Sequence, residues 1–157
     1  MQSLVVYDSK FGNTKRVAEA VADGLRTHGP VRLLELSAIL PQELGEPDLL
    51  VIGGPTQAHG ISARMRQFLD ALEARSRSGM VAVTFDTRFR IWSIISGSAA
   101  QTIATKLRRR GVRLFAPPES FFVSRGVPQL EEGEAERAVT WAHGVAQKLA
   151  LSHWCAA

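Results

Sequence analysis

Residues 8–14, Asp8-Ser9-Lys10-Phe11-Gly12-Asn13-Thr14, have the side chains and the spacing to hold an anion. They follow a short apolar run, Leu4-Val5-Val6-Tyr7, and precede a stretch whose apolar residues recur at helical spacing. A helix start offers unpaired N–H groups and the positive end of the helix dipole, which suits a phosphate. Ser9, Asn13 and Thr14 add side-chain donors, and Gly12 lets the backbone come close to the ligand. The same spacing also fits an ordinary strand-to-helix turn whose hydroxyls serve only as caps.

Two further segments can carry chemistry. In Gly53-Gly54-Pro55-Thr56-Gln57-Ala58-His59-Gly60, glycine and proline make a tight backbone shelf against which a flat ring can lie. His59 could act as a proton donor or simply make a packing contact; no second histidine lies at ligand spacing, so no metal is expected. The segment from Phe85 to Ser98, read as a loop, contains Asp86, Thr87, Arg88, Phe89, Arg90 and Trp92. Phe89 and Trp92 can stack on an aromatic ring, or Trp92, Ile94 and Ile95 can pack the loop onto the domain.

The elements that must position these segments alternate between two periods. Apolar runs at Leu4–Tyr7, Val31–Leu36, Asp48–Gly53, Met80–Phe85 and Val112–Val123 are expected to be buried strands, the last an edge strand interrupted by Pro117-Pro118. Helices are expected over Asn13–His28, Ser62–Arg75, Ser98–Gly111 and Gly133–Leu151. Their inward stripes include Val17, Val21 and Leu25, then Met65, Phe68 and Leu69, then Ile103 and Leu107, and finally Ala135, Ala138, Val139, Ala142, Val145, Ala146 and Leu149. Strands alternating with helices imply a parallel sheet covered on both faces, with ligands at the carboxyl ends of the strands. The three segments above stand at such ends.

A chain of 157 residues, 45% hydrophobic, fits one domain spanning residues 1–157. The single cysteine, Cys155, excludes an internal disulfide and points to a reducing, cytoplasmic setting. No targeting segment or membrane span is expected. A net charge of +4 is too modest to argue for nucleic acid. The basic run Lys106, Arg108, Arg109, Arg110 and Arg113 falls at a helix C-terminus, where it complements the dipole or forms a docking patch for an acidic partner. A dinucleotide fingerprint, a P-loop, a nucleophile elbow and the acidic pair of a receiver domain are all absent.

The stretch from Val5 to Val21 resembles the flavodoxin signature, with Tyr7, Ser9, Gly12, Thr14, Ala18 and Val21 at the matching steps. The resemblance runs through nearly the whole chain and implies a short-chain flavodoxin: an α/β domain with a doubly wound parallel sheet of five strands in the order 2-1-3-4-5, and five helices. It implies flavin mononucleotide (FMN), its phosphate cradled by Ser9, Lys10, Phe11, Gly12, Asn13 and Thr14. The ring would lie between Pro55, Thr56, Gln57, Ala58, His59 and Gly60 on one side and Phe85, Asp86, Thr87, Arg88 and Trp92 on the other. Phe11 stands where many members have another hydroxyl, and Ala58 or His59 where many use a glycine. The implied function is electron transfer through bound flavin to a redox partner protein or small acceptor. The alternatives are an FMN-dependent NAD(P)H:quinone-type reductase and a flavin-free interaction module. Carriers in the family are usually acidic; this chain is basic, and its arginines favour an anionic reduced flavin.

Overall fold

In the computed structural model, which describes residues 1–57, 60–72, 80–90 and 97–154, the apolar runs form one parallel sheet. The strands are β1 (Ser3–Tyr7), β2 (Val31–Glu35), β3 (Leu49–Pro55), β4 (Val81–Phe89), β5 (Arg113–Leu114) and β6 (Glu119–Val123). Their order is β2-β1-β3-β4-β5, with β6 also paired to β4. This is the expected 2-1-3-4-5 order, its fifth position split in two. Pro117 and Pro118 cause the split: proline cannot donate to the ladder, so pairing stops after Leu114 and resumes at Glu119.

Among the described residues the helices are α1 (Asn13–Arg26), α2 (Ala63–Asp70), α3 (Ala99–Arg109) and α4 (Glu134–Trp154). Between β2 and β3, where a five-helix pattern would need another helix, the chain makes only two short 3-10 turns, Leu36–Ala38 and Pro41–Glu43. The predicted end of the second helix, residues 73–75, lies outside the described residues.

Strand alternation divides the core into two layers. Val5, Val51, Val83 and Phe85 point toward α1 and α4, packing on Val17, Val21, Leu25, Ala142 and Val145. Leu4, Val6, Leu50 and Ile52 point the other way, onto Met65, Phe68, Leu69, Ile103 and Leu107 of α2 and α3. Within the α4 stripe, Val139 faces solvent instead of the core. Where α1 crosses α4, Gly24 is required, because a Cβ there would stand 2.4 Å from the Val139 carbonyl oxygen.

Two strands run longer than expected, and both extensions build the site. β3 continues past Gly53 through Gly54 to Pro55. β4 continues past Phe85 through Asp86, Thr87, Arg88 and Phe89, so these residues are strand and not loop. The extension of β4 pairs with β6, from Phe85 opposite Glu119 to Phe89 opposite Val123.

Behind β6, Arg137 of α4 reaches Glu119 at 2.5 Å, binds the Ser120 carbonyl and Glu134, and lies over the Phe121 ring. Glu134 also accepts the Phe122 N–H at 2.7 Å. Burial opposes charge on Glu134, but Arg137 and that N–H outweigh it and hold the carboxyl below its ordinary value.

Candidate functional site

The first loop is organised by its own side chains. Gly12 sits at φ 85°, a left-handed conformation that favours glycine, and turns the chain into α1. Ser9 Oγ accepts from the N–H groups of Gly12 (3.1 Å) and Lys15 (3.3 Å) and so caps the helix. The N–H groups of Asn13 and Thr14, in the same first turn, have no acceptor among the described residues. They form the anion-attracting face of the loop. A Cβ on Gly12 would meet nothing within 4 Å, so the space beside this turn is open.

Asn13 does a different job from the one its position suggests. Its amide donates to the Pro128 carbonyl at 2.8 Å and accepts from the Leu130 N–H at 2.9 Å, clamping the loop before α4 onto the helix start. Thr14 Oγ1 lies 2.8 Å from Thr87 Oγ1, joining α1 to β4. One hydroxyl proton is spent in that bond; the other remains for a ligand. Asp8 fixes the base of the loop, its N–H donating to the Gly53 carbonyl and its carboxylate accepting from Ser62, the N-cap of α2, at 2.5 Å.

At the second segment the Thr56 N–H donates to the Thr87 carbonyl (2.9 Å), and Gln57 and Gly60 exchange N–H···O bonds. Thr56 Oγ1 donates to Asp86 and accepts from the Ala99 N–H. Asp86 is fully buried, and its Oδ2 also accepts from Ser98 Oγ (2.6 Å) and the Ala100 N–H (3.0 Å) at the start of α3. Among the described residues its Oδ1 has no partner, nor has the buried Nε of Arg88, two residues further along the same strand face. Arg88 Nη1 donates to the Gly97 carbonyl at 3.1 Å.

Between these segments lies a cavity of about 410 Å³, lined by Lys10, Phe11, Asn13, Thr14, Pro55, Thr56, Gln57, Thr87, Arg88, Phe89, Val123 and Pro128. Its size falls within the range of small-molecule and cofactor sites. It opens at the carboxyl ends of β1, β3 and β4, where open α/β sheets bind ligands. Most of the residues singled out in the sequence meet here. Ser9 and Gly12 shape the cavity without lining it, and Gly60 is bonded to Gln57 beside it.

Phe85 lies in the core, its ring packed under Gly53, where a Cβ would stand 2.1 Å from Cζ; Asp86 is buried behind the wall. Ala58, His59, Trp92 and Cys155 lie outside the described residues. Val123 and Pro128 were not legible as lining residues; the proline break before β6 and the Asn13 clamp bring them in. Of the basic run at the end of α3, Lys106 pairs with Asp70 at 2.5 Å and Arg110 binds the Leu72 carbonyl, so part of that run is structural.

A doubly wound parallel sheet with an anion-attracting loop after its first strand, and a cleft against the third and fourth strand ends, defines an open-sheet α/β protein with its candidate site at the carboxyl ends of the strands. The chain belongs to the flavodoxin family, whose sequence model (Flavodoxin) matches residues 5–141. It is 27% identical to a flavodoxin of Clostridium saccharobutylicum, over 95% of this chain and 98% of that one. It is 28% identical to an NAD(P)H dehydrogenase (quinone) of Geobacter sulfurreducens, over 95% and 88%. Among solved structures, a flavodoxin from the domain Archaea superposes with a TM-score of 0.78 at 22% identity, covering 95% of this chain and 99% of that one. Oxidised Flavodoxin 1 from Bacillus cereus gives 0.79 at 17% identity, covering 94% and 98%.

Flavodoxins bind FMN and pass electrons through it to redox partners, and this chain is accordingly an FMN-binding redox protein. The residues present fit that cofactor: open N–H groups and Lys10 for a phosphate, and an apolar and hydroxyl-lined cavity for the ring. Among the described residues no helix is long and apolar enough to cross a membrane, and no group of three or more histidine, cysteine or acidic residues could hold a metal.

Proposed function

We propose that FMN sits in the cleft with its phosphate on the first loop and its ring between Pro55–Gln57 and the Thr87–Phe89 end of β4. The observation that carries this reading is the first turn of α1, where the N–H groups of Asn13 and Thr14 face a cavity that also contains Lys10 and a spare hydroxyl proton of the Thr14–Thr87 pair. Bound there, FMN supplies the capacity to accept and release electrons; the protein binds it, orients it and limits access to it. Ser9 and Asn13 hold the loop in its binding shape, and Asp8 anchors it to α2. Phe11 is 69% exposed at the mouth, with the Lys10 ammonium 5.3 Å from its ring centre, and forms an apolar and basic rim for a partner.

The electron acceptor is a redox partner protein or a small molecule. The single cysteine fits a reducing compartment such as the cytosol. A second reading, an NAD(P)H-dependent quinone reductase, is favoured by the relative of that name and by the two cations, Lys10 and Arg88, that line the cleft.

Titration of the purified protein with FMN, followed by quenching of flavin fluorescence, tests the first reading. Saturable binding at micromolar FMN, weaker for riboflavin, is expected; no quenching rules out an FMN site. Rapid NAD(P)H oxidation by the loaded protein on adding a quinone selects the second reading, and its absence selects the carrier.

A further inference from the structure

Arg88 and Arg90 are both candidates, from sequence, for placing positive charge beside a flavin; the structure separates them. Arg90 pairs with Glu131 at 2.9 Å and lies over the Phe122 ring, and it does not line the cavity. Arg88 does line it. Among the described residues its guanidinium has no carboxylate partner; one nitrogen meets the neutral Gly97 carbonyl and the buried Nε meets nothing. The flanking segments 58–59 and 91–96 contain no Asp or Glu to neutralise it. Asp86, on the same strand face, does not line the cavity, and its Oδ2 is engaged by Thr56, Ser98 and the Ala100 N–H at the positive end of α3. The described wall of the cleft thus has two cations, Lys10 and Arg88, and no acid. Lys10 belongs to the phosphate loop; Arg88 stands at the β4 end.

We propose that Arg88 sets the redox preference of the cleft by stabilising the anionic reduced form of bound FMN, so raising the cofactor's midpoint potential. The proposal rests on the FMN reading above. On full reduction the cofactor takes two electrons from the reductant and one proton from water, and its ring gains one negative charge. A guanidinium is a permanent cation, and in a partly desolvated wall its attraction for that charge is stronger than in bulk water. An opposite charge within about 4–6 Å moves a titrating group by about 1–3 pH units, so a change of at least about tenfold is expected. This runs opposite to a carrier with an acidic flavin site, and it matches the basic character of the chain.

The test compares wild type, Arg88→Gln and Arg88→Lys, each loaded with FMN and titrated with dithionite against reference dyes across a pH series. Arg88→Gln is expected to lower the ratio of reduced to oxidised FMN affinity about tenfold, which is ~30 mV for a two-electron couple. The pH at which the slope of potential against pH changes should rise by about one unit, and Arg88→Lys should restore most of both. In the wild type alone that break should lie below the break of free FMN in the same buffer. An unchanged ratio in an Arg88→Gln variant that still binds FMN overturns the role of Arg88 and leaves the cofactor reading intact. Equal shifts in Arg88→Gln and Arg88→Lys overturn it too, by pointing to lost loop geometry. A wild-type break at or above that of free FMN does the same without any variant, and a wild type that fails to bind FMN overturns both readings.

Discussion

At the Ser9–Thr14 end of the cleft the side-chain polar atoms of Ser9, Asn13 and Thr14 are engaged with the protein, whereas at the Asp86–Arg88 end two buried polar atoms, Asp86 Oδ1 and Arg88 Nε, have no partner among the described residues. The first end is therefore built before any ligand arrives: Ser9 caps the helix and Asn13 clamps the 128–130 turn, which leaves the N–H groups of Asn13 and Thr14, the Lys10 ammonium and one hydroxyl proton of the Thr14–Thr87 pair for a ligand. The second end is held at a cost, since a buried unpaired polar group disfavours folding by about 1–3 kcal/mol. A scaffold bears that cost most readily where function needs the groups. The contrast fits the proposed division of labour, with the phosphate held at the first end and the charge beside the ring set at the second.

The largest expected effect comes from the support of the second end. Asp86→Ala strands the hydroxyls of Thr56 and Ser98 and the Ala100 N–H, and should cost about 3 kcal/mol or more in urea unfolding. A loss under about 1 kcal/mol would mean those donors find other partners and the second end is not held as described. Asn13→Ala should cost about 2 kcal/mol by the same measurement, because it removes both bonds to the 128–130 turn.

Thr14→Val keeps the shape of the first end but removes its hydroxyl. It should weaken FMN about tenfold by fluorescence titration and riboflavin less; equal losses would mean that the hydroxyl serves the ring and not the phosphate. The smallest effect concerns the brace behind β6. Glu134 has a lowered carboxyl in the folded state, so its contribution is complete above the ordinary glutamate value and is lost as pH falls through the lowered one. Wild type should therefore lose more stability than Glu134→Gln as the pH falls below the ordinary glutamate value, read from thermal melts over an acid pH series; equal losses would mean that the brace does not depend on the Glu134 charge.

The same contrast explains what could be read in advance. The strands that carry Val, Ile and Leu on both faces were legible because a parallel sheet is buried on both sides. The first loop was legible because its residues act on their own neighbours: Ser9 caps atoms three and six residues away. The extension of β4 was not, because Asp86-Thr87-Arg88 has the composition of a loop. Those residues are accepted in a sheet only because their partners come from afar, Thr14 at a separation of 73 residues and Thr56 at 30. Phe85 looked like a pocket residue for a similar reason; the missing side chain of Gly53 makes room for its ring in the core, and that fit exists only across two paired strands.

The Pro117-Pro118 break has a consequence for how the chain behaves at high concentration. A sheet margin with free main-chain groups invites strand addition by another molecule, and long, unbroken margins are the dangerous ones. Here the outer margin beyond β4 is interrupted: a two-residue segment, a proline step, then a five-residue segment. No incoming strand can zip along it without meeting the gap. The prolines that divide the fifth position thus also guard the molecule against edge-to-edge aggregation.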